Sequence, residues 1–298
     1  MLKTAIATLL SSLVLSGAPK KQVHCLRIPT DHLKPSFSAQ HEIYSDIPIY
    51  TDYLSRSNST TVQLPSVVDY RLSDNVVSPV KDQGACGSCW AFSSAESLEG
   101  QLGLNGHAEN VSVQNFVDCV QLDAGCGGGW MDDALAYAEA HGVERESQYP
   151  YNATTQQCKA DTSIATIRPS FYINVAKTDH ALRTALVVFG PVSIALDATN
   201  NFMDYSKNGS KVFNDDTCDP LSPDHALLLV GYNNNDHYWI VKNSWNTDWG
   251  YDGYIYMNNT APNLCGISSY ATVPYIAPRS AVEEKTRVSQ HLKAVVEL

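Results

Sequence analysis

The order of apolar and polar positions divides the chain into a helical stretch followed by a β-rich one. From Cys89 to Leu102 the apolar residues Ala91, Phe92, Ala95, Leu98 and Leu102 fall three to four apart, the spacing of one helical face, and Gly103 and Gly106 supply a stop. Met131 to Ala140 and Asp179 to Phe189 are further helix candidates, the second closed by Gly190-Pro191. Beyond Pro191 the period shortens, and Val192 to Leu196, Ala226 to Tyr232, Tyr238 to Lys242 and Gly253 to Met257 read as strands between Gly, Asn and Asp turns. Upstream, Lys20 to Gln63 has little long apolar periodicity and ends in a polar run, Ser55 to Thr61, that looks like a linker; the texture changes at Leu64. The charged stretch after Ile276 is expected to be a short exposed helix or disordered. No internal repeat is evident.

Composition narrows this to a globular α+β protein. At 298 residues, 44% hydrophobic and 17% charged, with no window near the ~20 apolar residues of a bilayer span, the chain is no collagen, coiled coil or membrane bundle. Its length suits one two-lobed unit or two domains. The net charge is −11, and residues 65–275 alone carry 10 basic and 24 acidic side chains, which excludes nucleic acid as a partner and suits an acidic compartment. Met1 to about Ala18, with Lys3, an apolar run and small residues after it, reads as a signal peptide. Asn-x-Ser/Thr acceptors at Asn58, Asn110, Asn152, Asn208 and Asn258 add to a secretory-pathway reading, ending in a lysosome or vacuole or outside the cell.

Eight cysteines are present, and Cys25 stands in the polar leader far from the others. If that leader is removed seven remain, an odd number that leaves one thiol free for chemistry. Cys86-Gly87-Ser88-Cys89-Trp90 is the informative pentapeptide. A redox pair or half of a zinc site would both use Cys-x-x-Cys, but no second closely spaced pair exists, and Lys81 to Ala85 ahead of it is no buried strand. A third reading puts Cys89 at a helix N-terminus, where the dipole and open N–H groups favour a thiolate.

Gln83-Gly84-Ala85-Cys86-Gly87-Ser88-Cys89-Trp90 resembles the nucleophile motif of papain-family cysteine proteases. That family places a His and an Asn about 130–150 residues downstream. Here Asp224-His225-Ala226 and Lys242-Asn243-Ser244-Trp245 put His225 136 residues on and Asn243 154 residues on. Leu64-Pro65, Gln114-Asn115, Gly125-Cys126 with Gly128-Gly129, Tyr149-Pro150-Tyr151, Gly190-Pro191-Val192, Trp249-Gly250 and Cys265-Gly266 match in the same order, so the resemblance covers residues 64–275. It implies a papain-like fold with a helical left lobe, an antiparallel β-barrel-like right lobe and a cleft between them. It further implies residues 1–18 as signal peptide, 19–63 as a short or incomplete propeptide, 64–275 as the peptidase and 276–298 as a tail.

The roles implied are these. Cys89 attacks as thiolate, His225 pairs with it as imidazolium and protonates the leaving amine, Asn243 orients the ring, and Gln83 with the Cys89 N–H holds the oxyanion. Trp245 shields the Asn243–His225 contact. Gly128 and Gly129 let an extended substrate approach, and Trp130, Met131, Pro223, Asp224, Ala226 and Tyr270 border the substrate, with Tyr270 shortening the main pocket so that Leu or Val outranks Phe. The implied disulfides are Cys86–Cys126, Cys119–Cys158 and Cys218–Cys265. Only 19 residues, 130–148, separate Gly129 from Tyr149, too few to cap the cleft, so internal cleavage is expected. No cofactor and no metal are called for; the partners expected are protein and peptide substrates and cystatin-like inhibitors, without nucleic acid or membrane, for a monomer.

Three departures stand out: no long charged propeptide helix is found in 19–63, Asn246 replaces a usual Gly, and Tyr70 and Val113 replace a common Trp and Glu, expected to be neutral. The alternatives are an inactive homologue acting as a binding protein, a thiol oxidoreductase using Cys86 and Cys89, and a disulfide scaffold.

Overall fold

Helix α1, Cys89–Leu104, is buried almost all round: of its sixteen residues only Leu102 is partly exposed. One side packs on helices α2, Val113–Cys119, and α3, Met131–His141, through Trp90, Leu98, Phe116 and Leu135. The other side lies on the sheet, where Ser93 Oγ donates to Leu227 O at 2.6 Å and Ser193 Oγ donates to Ser93 O at 2.8 Å. A central helix this enclosed must place its polar residues in contact with partners. Glu99 meets Lys81 Nζ at 2.5 Å and the Val111 amide at 2.8 Å, and Glu96 meets the fully buried Lys242 Nζ at 2.8 Å. The computed structural model that shows this describes residues 64–297; the signal-peptide and propeptide readings, Cys25 and Asn58 lie outside the described residues.

The sheet has nine strands among the described residues: β1 (Val67–Asp69), β2 (Phe171–Asn174), β3 (Val192–Leu196), β4 (Val212–Phe213), β5 (His225–Asn233), β6 (Tyr238–Lys242), β7 (Tyr254–Asn258), β8 (Tyr270–Tyr275) and β9 (Val295–Glu297). The order is β2-β8-β3-β5-β6-β7-β4, with β1 pairing on β5 and β9 on β1, and every pairing except β4–β7 is antiparallel. It does not close into a barrel, which corrects the barrel-like expectation: a path of paired strands runs from β2 to β4 without a bond between its two ends. Its core is separate from that of the helical lobe and is built from Leu196, Phe202, Leu229, Trp239 and Ile255, with helix α4, Asp179–Phe189, packed on it and the short helix α5, Asn200–Met203, carrying Phe202.

Helix α6, Ala281–Ala294, is the short helix expected as one alternative for the tail, but one of its faces is buried, which corrects its expected exposure. Ser280 caps it by accepting from the Glu283 N–H at 3.2 Å. Arg287, Gln290, His291 and Ala294, spaced as one helical face, are buried against α1, α4 and the 3-10 turn Tyr70–Leu72. Because three of those four are polar, hydrophobic periodicity could not reveal the face. Tyr70 joins this contact: its hydroxyl lies 2.5 Å from His291 Nδ1 and donates to Leu186 O at 3.0 Å.

Candidate active site

Helix α1 runs alongside β5, and this brings Cys89, its first residue, against His225 and Ala226, the first two residues of the strand. The Ala226 N–H donates to Cys89 Sγ at 3.1 Å. Ser88, the N-cap residue, uses its hydroxyl on Tyr151 Oη at 2.6 Å and makes no side-chain cap, so the first-turn N–H groups at Cys89 have no side chain from it laid across them. Disulfide Cys86–Cys126 and the bond from Gly87 N–H to Cys126 O, 3.0 Å, hold the approach to the helix. Cys119–Cys158 and Cys218–Cys265 are the other bridges described.

Cys89 itself is disulfide-bonded, and no cysteine among the described residues is a free thiol. The expectation of a free Cys89 is therefore corrected for this state of the molecule.

His225 is fully buried, and its Nε2 lies 2.9 Å from Asn243 Oδ1. Burial pushes its pKa down to about 4, partly offset by the Asn243 contact, so the ring is neutral at neutral pH. Trp245 stacks on it, centroids 4.5 Å apart and planes at 24°, and is itself packed edge-on against Phe202 and Trp249. Asn243 follows β6 and is anchored by its N–H to Gly253 O at 2.9 Å. Its Oδ1 also accepts from the Ser244 N–H at 2.8 Å, so the amide oxygen faces His225 and the nitrogen is turned away.

Gln83 is oriented in the same manner. Ser244 Oγ and Trp245 Nε1 donate to its Oε1 at 2.7 and 3.2 Å, while its Nε2 donates to Cys86 O at 3.0 Å. An amide nitrogen has two hydrogens, and one of them is taken by the Cys86 carbonyl. Sequence reasoning missed the supports: Tyr151 Oη donates to Gln83 O at 2.8 Å, and Ser244 fixes the Gln83 amide. Both stand inside motifs already recognised, which gave their presence but no role.

Of the residues expected along the substrate, Trp130, Met131 and Ala226 join one apolar cluster, with Tyr270 partly buried against it. The rings of Trp130 and Tyr270 are 5.2 Å apart, and Tyr270 pairs in register with Ala195 of β3. Pro223 is buried beside them in sequence, while the Asp224 carboxylate accepts the Ala198 N–H at 2.8 Å, bracing the β3–β5 end. Gly128 has φ +107°, which suits glycine. A Cβ at Gly129 would lie 2.5 Å from the Asp123 carboxyl carbon and 2.6 Å from the Trp90 indole, so the protein's own packing also calls for glycine there. Asn246 adopts φ +62°, the conformation its usual Gly would supply. Asn110, Asn152 and Asn208 are exposed; Asn258 is half-buried, with its amide bonded to Asn214 and Thr260. No metal-holding cluster and no membrane-length apolar helix occur among the described residues.

Residues 64–275 match the papain family cysteine protease profile. The chain belongs to that family. It is 38% identical to rat procathepsin L over 225 residues, 72% of this chain and 66% of the relative, so it spans just under two thirds of that protein. The digestive procathepsin L 3 of the Tenebrio molitor larval midgut superposes with a TM-score of 0.68 at 41% identity, over 73% of this chain and 72% of that one. The procathepsin L2 proteinase of the same midgut gives 0.72 at 37%, over 87% and 80%. The papain-like α+β fold is thus that of the cathepsin L group.

Proposed function

We propose that the chain is a cysteine endopeptidase that hydrolyses internal bonds of proteins and peptides through Cys89, His225 and Asn243. The observation that carries this is the buried His225–Asn243 contact under the Trp245 ring, set beside a cysteine at a helix N-terminus. With Nε2 committed to Asn243, Nδ1 is the nitrogen that exchanges a proton with the thiol and the leaving amine. The Cys89 thiolate adds to the scissile carbonyl, the oxyanion is received by the Gln83 Nε2–H and the Cys89 N–H, and collapse to an acyl-enzyme expels the amine with the proton from His225. Water, deprotonated by the same imidazole, then releases the acid.

Internal cleavage is favoured because α3 takes up most of residues 130–148 and leaves little chain to block the cleft. The apolar walls, Trp130, Met131, Pro223 and Ala226, with Tyr270 filling their end, favour an aliphatic residue two before the cleaved bond. A secretory route to a lysosome or the extracellular space goes with the bridges and the exposed acceptor asparagines. The test is titration of the thiol-reduced protein with an epoxide-type thiol inhibitor, followed by digestion of an unfolded protein. One label per chain at Cys89, together with internal fragments, is the expected result; a reduced, fully labelled-competent protein that cuts nothing is instead the inactive binding homologue.

A further inference from the structure

Gln83 is held from two sides. From the sheet side, Ser244 O accepts its backbone N–H at 2.9 Å, and Ser244 Oγ and Trp245 Nε1 donate to its Oε1. From the helical lobe, Tyr151 Oη donates to its carbonyl at 2.8 Å. We propose that Tyr151 is a positioning residue of the oxyanion site, its hydroxyl fixing Gln83 relative to the start of α1. This inference rests on the reading of Cys89 as the nucleophile and Gln83 as an oxyanion donor.

A phenol has one hydrogen, and that of Tyr151 goes to Gln83 O, so the 2.6 Å contact between Ser88 Oγ and Tyr151 Oη is donated by the serine. The result is a directed chain from the Ser88 hydroxyl through the Tyr151 hydroxyl to the Gln83 carbonyl, joining the residue before Cys89 to the one that receives the oxyanion. Burial pushes the Tyr151 pKa up to about 12, partly offset by the Ser88 bond, so the phenol keeps the proton it donates at neutral and acid pH. The ring is itself fixed. It meets Phe92 of α1 edge-on, centroids 4.8 Å apart and planes at 78°, and the Tyr151 N–H donates to Glu146 Oε1 at 2.7 Å. The turn after Gln83 offers little resistance of its own: Asp82 and Ala85 are exposed, Gly84 has φ +63°, and a Cβ on Gly84 would meet nothing nearer than Ala153 Cβ at 3.8 Å. An oxyanion forms only as the thiolate adds to the carbonyl. A donor displaced from it therefore lowers turnover while leaving substrate binding in place.

The experiment uses the full chain, thiol-reduced and then freed of reductant, and compares two reactions of Cys89. Hydrolysis of a fluorogenic peptide amide passes through an oxyanion; in alkylation by iodoacetamide the thiolate displaces iodide and no oxyanion develops. Both rates are referred to titrated thiol, so a partly folded sample does not distort their ratio. Tyr151→Phe keeps the ring against Phe92 and should lower kcat by about 10-fold with KM within about 2-fold, while alkylation stays within about 2-fold of the wild type. Gln83→Ala should cost about 100-fold, and Tyr151→Phe added to it no more than about 2-fold further, because the donor to be positioned is gone. Ser88→Ala removes the serine bond and keeps the tyrosine donor on Gln83, so hydrolysis should stay within about 3-fold. An unchanged kcat in Tyr151→Phe, alkylation that falls with hydrolysis, or losses that multiply in the double variant would each overturn the positioning role and leave the protease reading intact. If Tyr151→Phe does not fold, Ser88→Ala decides: a fall of about 10-fold would show that the hydroxyl pair acts through the start of α1 and not through Gln83. Wild-type protein that is alkylated at Cys89 and hydrolyses nothing would overturn the protease reading and the role of Tyr151 with it.

Discussion

Replacing Arg287 by Met tests whether α6 is a structural part of the fold. Its guanidinium is 3% exposed and donates from Nη1 to Asn105 Oδ1 (3.1 Å) and Ile276 O (3.5 Å), and from Nη2 to Gln101 Oε1 (2.9 Å) and Phe189 O (3.1 Å). None of these acceptors is a carboxylate. Burial accordingly presses the Arg287 pKa down to about 10, and the face of Tyr275, 4.8 Å away, supplies further stabilisation of the cation. The two carbonyls keep a second donor each, Gln101 Nε2 at 2.8 Å for Phe189 and Asn105 Nδ2 at 3.0 Å for Ile276, so removal of the arginine does not orphan them. Four bonds from a charged donor at about 2 kcal/mol each come to about 8 kcal/mol. Release of the buried charge returns about 5 kcal/mol of desolvation, leaving a loss of about 3 kcal/mol. For a fold of this size that lowers the midpoint of thermal unfolding by about 6 to 12 °C. Scanning calorimetry of Arg287→Met beside Lys285→Ala, an exposed position on the same helix, reads the difference. A shift of under about 2 °C for Arg287→Met, equal to that of Lys285→Ala, would refute the docked helix and restore the exposed tail.

Lys242→Met leaves Glu96 buried without its counter-charge and should cost about 3 to 5 kcal/mol in urea unfolding, whereas Lys242→Met with Glu96→Leu should recover most of that loss; equal losses would show that the pair carries no charge. Asn243→Ala should lower kcat/KM of the reduced enzyme by about 10- to 100-fold without abolishing turnover, since it orients His225 and does not react; an unchanged rate would remove it from the site. The folded chain resists protonating His225 and His291, both held below the ordinary value by burial, His291 also by Arg287, while the unfolded chain takes up those protons below about pH 6.5. Stability should therefore be full above pH 6.5 and fall towards pH 4, and His291→Gln should flatten that fall by up to about 1.4 kcal/mol per pH unit in denaturant titrations; identical slopes would show that His291 charges freely in the fold. Tyr270→Ala should raise cleavage after Phe relative to Leu at the second residue before the cut, read by competing peptides, and no change would place Tyr270 outside that pocket.

The sequence by itself determined what depends on local spacing and residue type. Helix Asp179–Phe189 and strands Val192–Leu196 and Tyr238–Lys242 run between the residues their apolar periods indicate, because each buries one continuous stripe or run. The positive φ of Asn246 was likewise legible, since few residues tolerate it. What escaped the pattern depends on contacts between distant segments. Strand β2 is short and pairs with β8, which pairs in turn with β3, and α6 buries a face of Arg, Gln and His with partners 186 to 221 residues away in sequence. An open sheet and a closed one share the same strand pattern, so only the pairing of strand ends distinguishes them. The closeness of Asp123 and the Trp90 ring to Gly129 comes from packing, and the orientation of Gln83 is set by Ser244 and Trp245 across the cleft. Motif spacing named the cysteine, the histidine and the asparagine. Packing of α1 along β5, with β6 beside it, is what brings them to one place, and no spacing along the chain contains those contacts.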